Sequence, residues 1–338
     1  MNEKKKTGKS TTRVLAGASM LVVVAALYAG YWYYIAGQVQ DGIAEWADMR
    51  RAEGVDVSYG RLAISGFPFR LVAKITNPTI AQSWSWKGPR LVLSVRPWRL
   101  KRIKFRAPGL HQLTIRGEDY FIVADTLHGK VRFQQGGPAR INIFVTDLVV
   151  RNGADEDVGE VKTAEVEVDR SGLALKVHAY GITGPSEQIP GLGRKTQRLG
   201  IEAEATGDFP DIGQGIPVNG ETMSSWRDSG GTIEVRRLYL DHGPLKTSSA
   251  GTLALDQAMQ PIGSFTVKAQ GHMETLDRFR DAGLIKANDH GLVRLVLTAL
   301  SKEDSLKVPL TIQNRRLYVG PVALAKLPLV QWPKARSQ

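Results

Sequence analysis

The sequence predicts a mainly β protein, a β-rich α+β fold. One N-terminal transmembrane helix is followed by antiparallel, meandering sheets with a few helices. Three observations predict it. Val14–Ala36 is a run of 23 residues without a charged side chain. From Val55 onward, turn signals recur every 8–15 residues. Between them lie short runs of Val, Ile, Leu and Phe, several alternating with polar residues at the two-residue period of a strand. No βαβ alternation points to a parallel sheet.

The apolar run comes first. At ~1.5 Å rise per residue, a helix of this length crosses a hydrocarbon core of ~30 Å. Lys4, Lys5, Lys6, Lys9 and Arg13 precede it against one acid, Glu3, while Asp41, Glu45 and Asp48 follow it. Basic flanks favour the cytoplasm, so residues 1–13 read as a cytoplasmic tail. Residues 14–36 then cross the inner membrane once, and the bulk of the chain is periplasmic. A cleaved signal peptide has a shorter apolar region, ~7–15 residues, and a small-residue exit. Tyr34-Ile35-Ala36 offers a bulky ring there instead, so the reading is a retained anchor. Tyr28, Tyr31, Trp32, Tyr33 and Tyr34 gather at its outer end, where amphipathic rings suit the headgroup level. Ala26 and Gly30 are spaced as a small-xxx-small pair, which also occurs in plain lipid-facing helices.

A membrane-proximal helix, 37–54, follows. Val39, Ile43, Trp46 and Met49 recur at helical spacing, and Gly54 ends it. A first β-rich region covers 55–181, with turns at Tyr59-Gly60, Gly66-Phe67-Pro68, Asn77-Pro78, Gly88-Pro89, Pro108-Gly109, Arg116-Gly117, Gly136-Gly137-Pro138, Asn152-Gly153 and Ser171-Gly172. Leu91, Leu93 and Val95 share one strand face, as do Leu173, Leu175 and Val177. Ile141–Val150 is apolar on both faces, which suits a covered central strand or the lining of an apolar groove.

Residues 182–200 are Gly/Pro-rich and polar, a loop or joint. Gly191-x-Gly193-Arg194-Lys195-Thr196 glances at a phosphate loop, but Arg194 breaks the Gly-Lys-Thr and no strand–loop–helix context surrounds it. A second β-rich region with helices covers 201–332, and 333–338 is a tail. In Thr232–Asp241 the apolar positions switch face between Val235 and Leu238, the mark of a bulge. Helices are predicted over Glu221–Asp228, Thr275–Ala282 and Asp289–Ser301. The last is capped by Asn288 or Asp289 and repeats Leu292, Leu295/Val296 and Leu300 on one face. Lys307–Val319 closes as a hairpin, followed by the apolar tail Leu324–Trp332.

Composition narrows the function classes. The chain has 338 residues, net charge +12, 42% apolar residues and no cysteine. This is the composition of a globular protein, and thiol catalysis and zinc–thiolate sites are excluded. The six histidines show no metal-ligand spacing, and no G-x-S-x-G elbow occurs. Asp155-Glu156-Asp157 lacks the spaced ligands of a calcium loop. No catalytic residue, cofactor or metal is predicted.

The positive feature is a segment without acids. From Val57 to Gly117 there is no Asp or Glu, and there are twelve Lys or Arg. Beyond the membrane, nucleic acid is not the expected partner and anionic lipid headgroups are. Arg99, Lys101, Arg102, Lys104 and Arg106 are the candidate contacts, each worth ~1 kcal/mol beside an anionic surface. A solvated sheet face explains them equally. Trp84, Trp86 and Trp98 suit either a core or an interface. Gly66-Phe67-Pro68-Phe69-Arg70 reads as a sharp bend packed into the core.

These residues also carry a resemblance. Gly66-Phe67-Pro68-Phe69-Arg70, then Trp84-Ser85-Trp86, then Arg96-Pro97-Trp98 resemble an uncharacterised proteobacterial envelope family, domain of unknown function 2125. Further on, Trp226 before Gly230-Gly231, Gly251–Asp256, Pro261-x-Gly263, Pro309-Leu310 and Gly320-Pro321 are similar too. The resemblance spans roughly Val55–Trp332, and departs where Asn314-Arg315 stands at a turn that would take Gly. A more distant similarity is to AsmA-like envelope proteins, and it implies a β-rich exported part linked to lipid homeostasis. Three functions follow as expectations: binding of lipid or anionic headgroups in envelope homeostasis or lipid transport; a non-enzymatic scaffold for an envelope protein complex; and, third, an envelope-polymer hydrolase. The bilayer is the expected partner through the anchor; oligomeric state is not readable.

Overall fold

A computed structural model describes residues 8–134, 137–170, 173–187, 189–210, 218–302, 305–319 and 322–333. The turns predicted at Gly136, Ser171-Gly172 and Gly320-Pro321, and the terminal segments 1–7 and 334–338, lie outside these residues.

The apolar run and the membrane-proximal helix are one helix, α1 (Gly8–Ala52), of 45 residues. Gly37 and Gly42 do not break it; nothing lies within 4 Å of either added Cβ, and solvent-side glycines cost a helix only ~1 kcal/mol each. At ~1.5 Å per residue it is about 67 Å long. Its first part is long and apolar enough to cross a membrane. Its second part runs beside the sheet. Trp32 and Ala36 pack against Leu71, flanked by Ile35, Val39, Ile64 and Val95. Ala47 is fully buried, and Arg51 Nε donates to the Val57 carbonyl at 2.7 Å.

The sheet is one antiparallel meander. Its first five ribbons are each creased in the middle into two short strands: β1 (Asp56–Ser58) with β2 (Leu62–Ser65), β3 (Leu71–Thr76) with β4 (Thr79–Ala81), β5 (Trp84–Lys87) with β6 (Arg90–Arg96), β7 (Arg99–Arg106) with β8 (His111–Ile115), and β9 (Glu118–Val123) with β10 (Thr126–Gln134). Above the crease the order is β2-β3-β6-β7-β10. Below it the order is β1-β4-β5-β8-β9. Proline explains much of the line: Pro78, Pro89 and Pro108 have no N–H for a ladder, so the ribbons bend there. Hydrogen bonds still cross it, Asn77 N–H to Pro89 O at 3.1 Å and Gly88 N–H to Pro78 O at 3.0 Å. β11 (Gly137–Asn152) spans both halves, pairing with β10 up to Thr146 and with β9 from Val149; Asp147 between them has φ +48°.

From β11 the meander continues without crease through β12 (Asp157–Asp169), β13 (Ala174–Thr183), β14 (Lys195–Ala205), β15 (Ile233–His242), β16 (Leu245–Leu255) and β17 (Pro261–Gln270), each paired with the last. After the short β18 (Ser301–Lys302), β19 (Ser305–Gln313) pairs with β17, and β20 (Arg316–Val319) and β21 (Val322–Lys326) follow. β13 and β14 pair on either side of the polar loop, so the sheet runs through it. The predicted bulge lies between Val235 and Leu238. Asn314 and Arg315 turn the hairpin with φ of +52° and +56°, doing without glycine.

The three predicted short helices are α2 (Gly220–Asp228), α3 (His272–Asp281) and α4 (Ala287–Leu300). Trp226 of α2 is buried, and its indole N–H donates to the Thr206 carbonyl at 2.7 Å. α4 is capped by Lys286, without a side-chain bond, rather than by Asn288 or Asp289. Its repeated apolar face turns outward: Leu292, Leu295, Val296 and Leu300 are exposed. His290 Nε2 and Arg294 Nη1 both reach Asp277 of α3, at 2.8 and 2.9 Å, and so fix the opposite orientation.

Strand pairing sorts the sheet into two unlike faces. On one face, a row runs Phe105–Gly129–Ile143–Val166–Val177–Ile201–Leu238 across β7 to β15. A parallel row runs Ile103–Val131–Ile141–Val168–Leu175–Ala203–Val235. The opposite face carries Lys130, Asn142, Glu167, Lys176 and Glu202 in one row. Most positions in the two rows are only partly covered, Gly129 and Val235 are buried, and the leucines on this face stay open. Leu175, Leu199 and Leu238 are 38%, 40% and 38% exposed. The chain exposes 22058 Å² in all. A compact protein of this mass would expose roughly 13,600 Å².

Candidate functional site

Three chain elements meet where α1 leaves the sheet. The β2–β3 tip holds Gly66-Phe67-Pro68-Phe69-Arg70, with a cis Phe67–Pro68 bond and Gly66 at φ +105°. A Cβ on Gly66 would stand 2.7 Å from the Arg70 carbonyl oxygen, so the tip needs glycine there. The β6–β7 tip holds Arg96-Pro97-Trp98-Arg99. Aromatic side chains of α1 reach both. Tyr28 Oη donates to Pro68 O at 2.5 Å, Trp32 Nε1 to Arg70 O at 3.1 Å, and Tyr31 Oη to Pro97 O at 3.0 Å. Phe67 meets Trp32 edge-on at 5.6 Å and stacks on Tyr33 at 6.2 Å.

The bend therefore packs on the helix rather than into the core, because it projects past the end of the sheet. Phe67 and Phe69 remain 49% and 70% exposed. Of the three tryptophans, Trp84 and Trp98 are also largely exposed, while Trp86 stacks on His111 at 5.7 Å.

Behind the tips, the polar face forms a concavity of about 420 Å³. Arg70, Arg96, Arg99, Arg102, Lys104, Lys130, Arg132 and Arg140 line it, eight of thirteen lining residues, with no acid. Register sets cation against cation: Arg102 faces Arg132, Lys104 faces Lys130, and Arg132 faces Arg140. Like charges directly opposite destabilise a sheet. Among the described residues only Arg140 has a carboxylate partner, Asp169, whose hydrogen bond raises the Arg140 pKa above its ordinary value. Lys130 lies over the Phe144 ring at 5.9 Å. No carboxylate among the described residues pairs with the other seven lining cations.

Of the five residues expected to meet anions, Arg99, Arg102 and Lys104 line this concavity. Lys101 alternates to the other side of β7 and lines, with Tyr31, Trp98, Leu100 and Arg102, a shallower hollow against the helix. Arg106 stands farther along, opposite His128 and Val92, outside the concavity. Arg70 and Arg96 were legible as motif residues. Lys130, Arg132 and Arg140 were not read as part of a site; alternation puts Lys130 and Arg132 on one face, but no pattern tells that β10 lies beside β7.

The family described as "Uncharacterized protein conserved in bacteria (DUF2125)" matches residues 32–328. The chain belongs to this family. No curated protein and no solved structure matches it. The DUF2125 match begins at Trp32, the residue that holds the first tip, and runs through the whole meander. The family description names no activity, so the chemistry has to come from the site. The lining of this DUF2125 concavity offers guanidinium and ammonium groups, with no carboxylate or imidazole among them, and these are the donor types that hydrogen-bond phosphate-like anions.

Proposed function

We propose that this chain is a single-pass inner-membrane protein, N-terminus cytoplasmic, whose periplasmic sheet binds lipid in envelope homeostasis or lipid transport. Anionic headgroups sit in the cationic concavity. Acyl chains lie on the apolar face, which begins at the same strands, β6 and β7. One observation carries the reading: apolar rows seven strands wide are for the most part only partly covered, and Leu175 and Leu238 within them are more than a third exposed. Water disfavours such a surface by ~25 cal/mol per Å², and patches beyond a few hundred Å² mark binding sites.

The experiment places a photoreactive benzoylphenylalanine at Val177 or at Lys176 of the full chain, expressed in its native membrane. Lipid adducts are expected at 177 and not at 176, because the two lie on opposite faces. Equal labelling at both, or none, sinks the proposal. A scaffold for an envelope protein complex is the second reading, favoured by the outward Leu292, Leu295 and Val296 of α4. Protein cross-links from those positions, without lipid adducts at 177, select it.

A further inference from the structure

We infer that the β2–β3 and β6–β7 tips are seated inside the outer leaflet of the bilayer that α1 crosses. Phe67, Phe69, Trp98 and Leu100 are then lipid-facing side chains. The inference rests on the anchor reading and adds a second, sheet-borne contact to it.

The length of the free helix requires this. Between Arg13 and Tyr28 lie the 14 uncharged residues Val14–Leu27. At ~1.5 Å each they cover about 21 Å, short of a hydrocarbon core of ~30 Å. The missing ~9 Å is six residues of helix, Tyr28–Tyr33. Those are the residues that hold the two tips by hydrogen bonds. Seating the helix therefore draws the tips in with it.

The tips suit that depth. Backbone groups in lipid must be satisfied internally. Pro68 and Pro97 have no N–H to satisfy, and α1 hydroxyls take both of their carbonyls. The Trp32 indole takes the Arg70 carbonyl, and the Arg70 N–H closes the turn on Gly66 O at 3.0 Å. The outward side chains are large and apolar: Phe69, Trp98 and Leu100 are 70%, 52% and 40% exposed. Arg70, Arg96, Arg99, Lys101 and Arg102 flank them along the chain, with side chains long enough to carry their charges up to the lipid phosphates.

The native chain has no cysteine, so single labels are clean. Phe69→Cys, Trp98→Cys, Leu21→Cys and Ser83→Cys each receive a nitroxide in the full chain. Ser83 is exposed at the opposite end of the sheet, in the β4–β5 turn. The proteins are reconstituted in phosphatidylcholine–phosphatidylglycerol vesicles, and accessibility to oxygen and to a polar nickel chelate is measured. Sites 21, 69 and 98 are expected to favour oxygen at least several-fold over nickel, and site 83 to show the reverse. Labels 69 and 98 behaving like 83, with 21 in lipid, overturn this inference and leave the anchor intact. Label 21 in water overturns the anchor reading and the inference together.

Discussion

Replacing Arg102 and Arg132 by glutamine should move stability and anion affinity in opposite directions. The two residues face each other across β7 and β10, and Arg132 also faces Arg140. Charges ~6 Å apart in a water-like dielectric repel by roughly 0.7 kcal/mol. The second repulsion is discounted, because Asp169 already compensates Arg140. The double variant should therefore gain about 1 kcal/mol at low salt, a rise of about 2 °C in midpoint for a chain of this size. The gain should vanish toward 1 M salt, where screening acts over ~3 Å. Affinity should fall: two charges at ~1 kcal/mol each amount to about 30-fold. The assay is thermal unfolding of the full chain in neutral detergent at low and high salt, alone and with a short-chain anionic phospholipid titrated in. A variant that unfolds earlier at low salt, or that binds the lipid as tightly as the parent, refutes the reasoning.

Two further outcomes test the packing. Trp226→Ala removes a buried ring and the hydrogen bond to Thr206 O, and should cost about 3–5 kcal/mol in denaturant unfolding. The Asp277 carboxyl is held below its ordinary pKa by the His290 hydrogen bond first, with Arg294 adding to it. A depressed pKa stabilises the fold above the unfolded carboxylate pKa, near 4, and that contribution is lost as pH falls through the folded value. Asp277→Asn should therefore lower the melting midpoint at pH 7, with a deficit that shrinks as the pH falls below the ordinary carboxylate range near 4, followed by circular dichroism.

Much of this architecture was legible because it is local. Words such as Arg116-Gly117 and Asn152-Gly153 mark chain reversals, and the face switch from Val235 to Leu238 marks the bulge without reference to any partner strand. The crease is a different matter. Pro78, Pro89 and Pro108 were each read as turns between separate strands, whereas they fall in register inside continuous ribbons, which only the pairing reveals. The orientation of α4 was unreadable for a related reason. Periodicity finds an apolar stripe but not what it faces, and the polar contacts of Asp277 with His290 and Arg294 decide it. The cationic site was half visible: β7 announced itself by composition, while Lys130 and Arg132 sit some thirty residues away and are joined to it by ribbon pairing alone.

A meander in which each strand touches only its neighbours should lose stability locally rather than globally. That is the behaviour of a quasi-one-dimensional stack, where nearest-neighbour terms dominate. Gly129 is the place to test it. A Cβ there would lie 2.2 Å from the Asn142 carbonyl oxygen and 2.5 Å from the Phe105 ring, so Gly129→Ala pushes on both β11 and β7. Overpacking of this kind costs about 1–3 kcal/mol. Hydrogen exchange should show the loss in β7, β10 and β11, and leave the amides of β16, β17 and β19, six or more strands away, at parental protection. If exchange speeds up by the same factor from β7 to β19, the sheet melts as one cooperative core. An apolar face held open strand by strand would then have to be abandoned, because a surface that costs so much in water could persist only if the strands beneath it were independently stable.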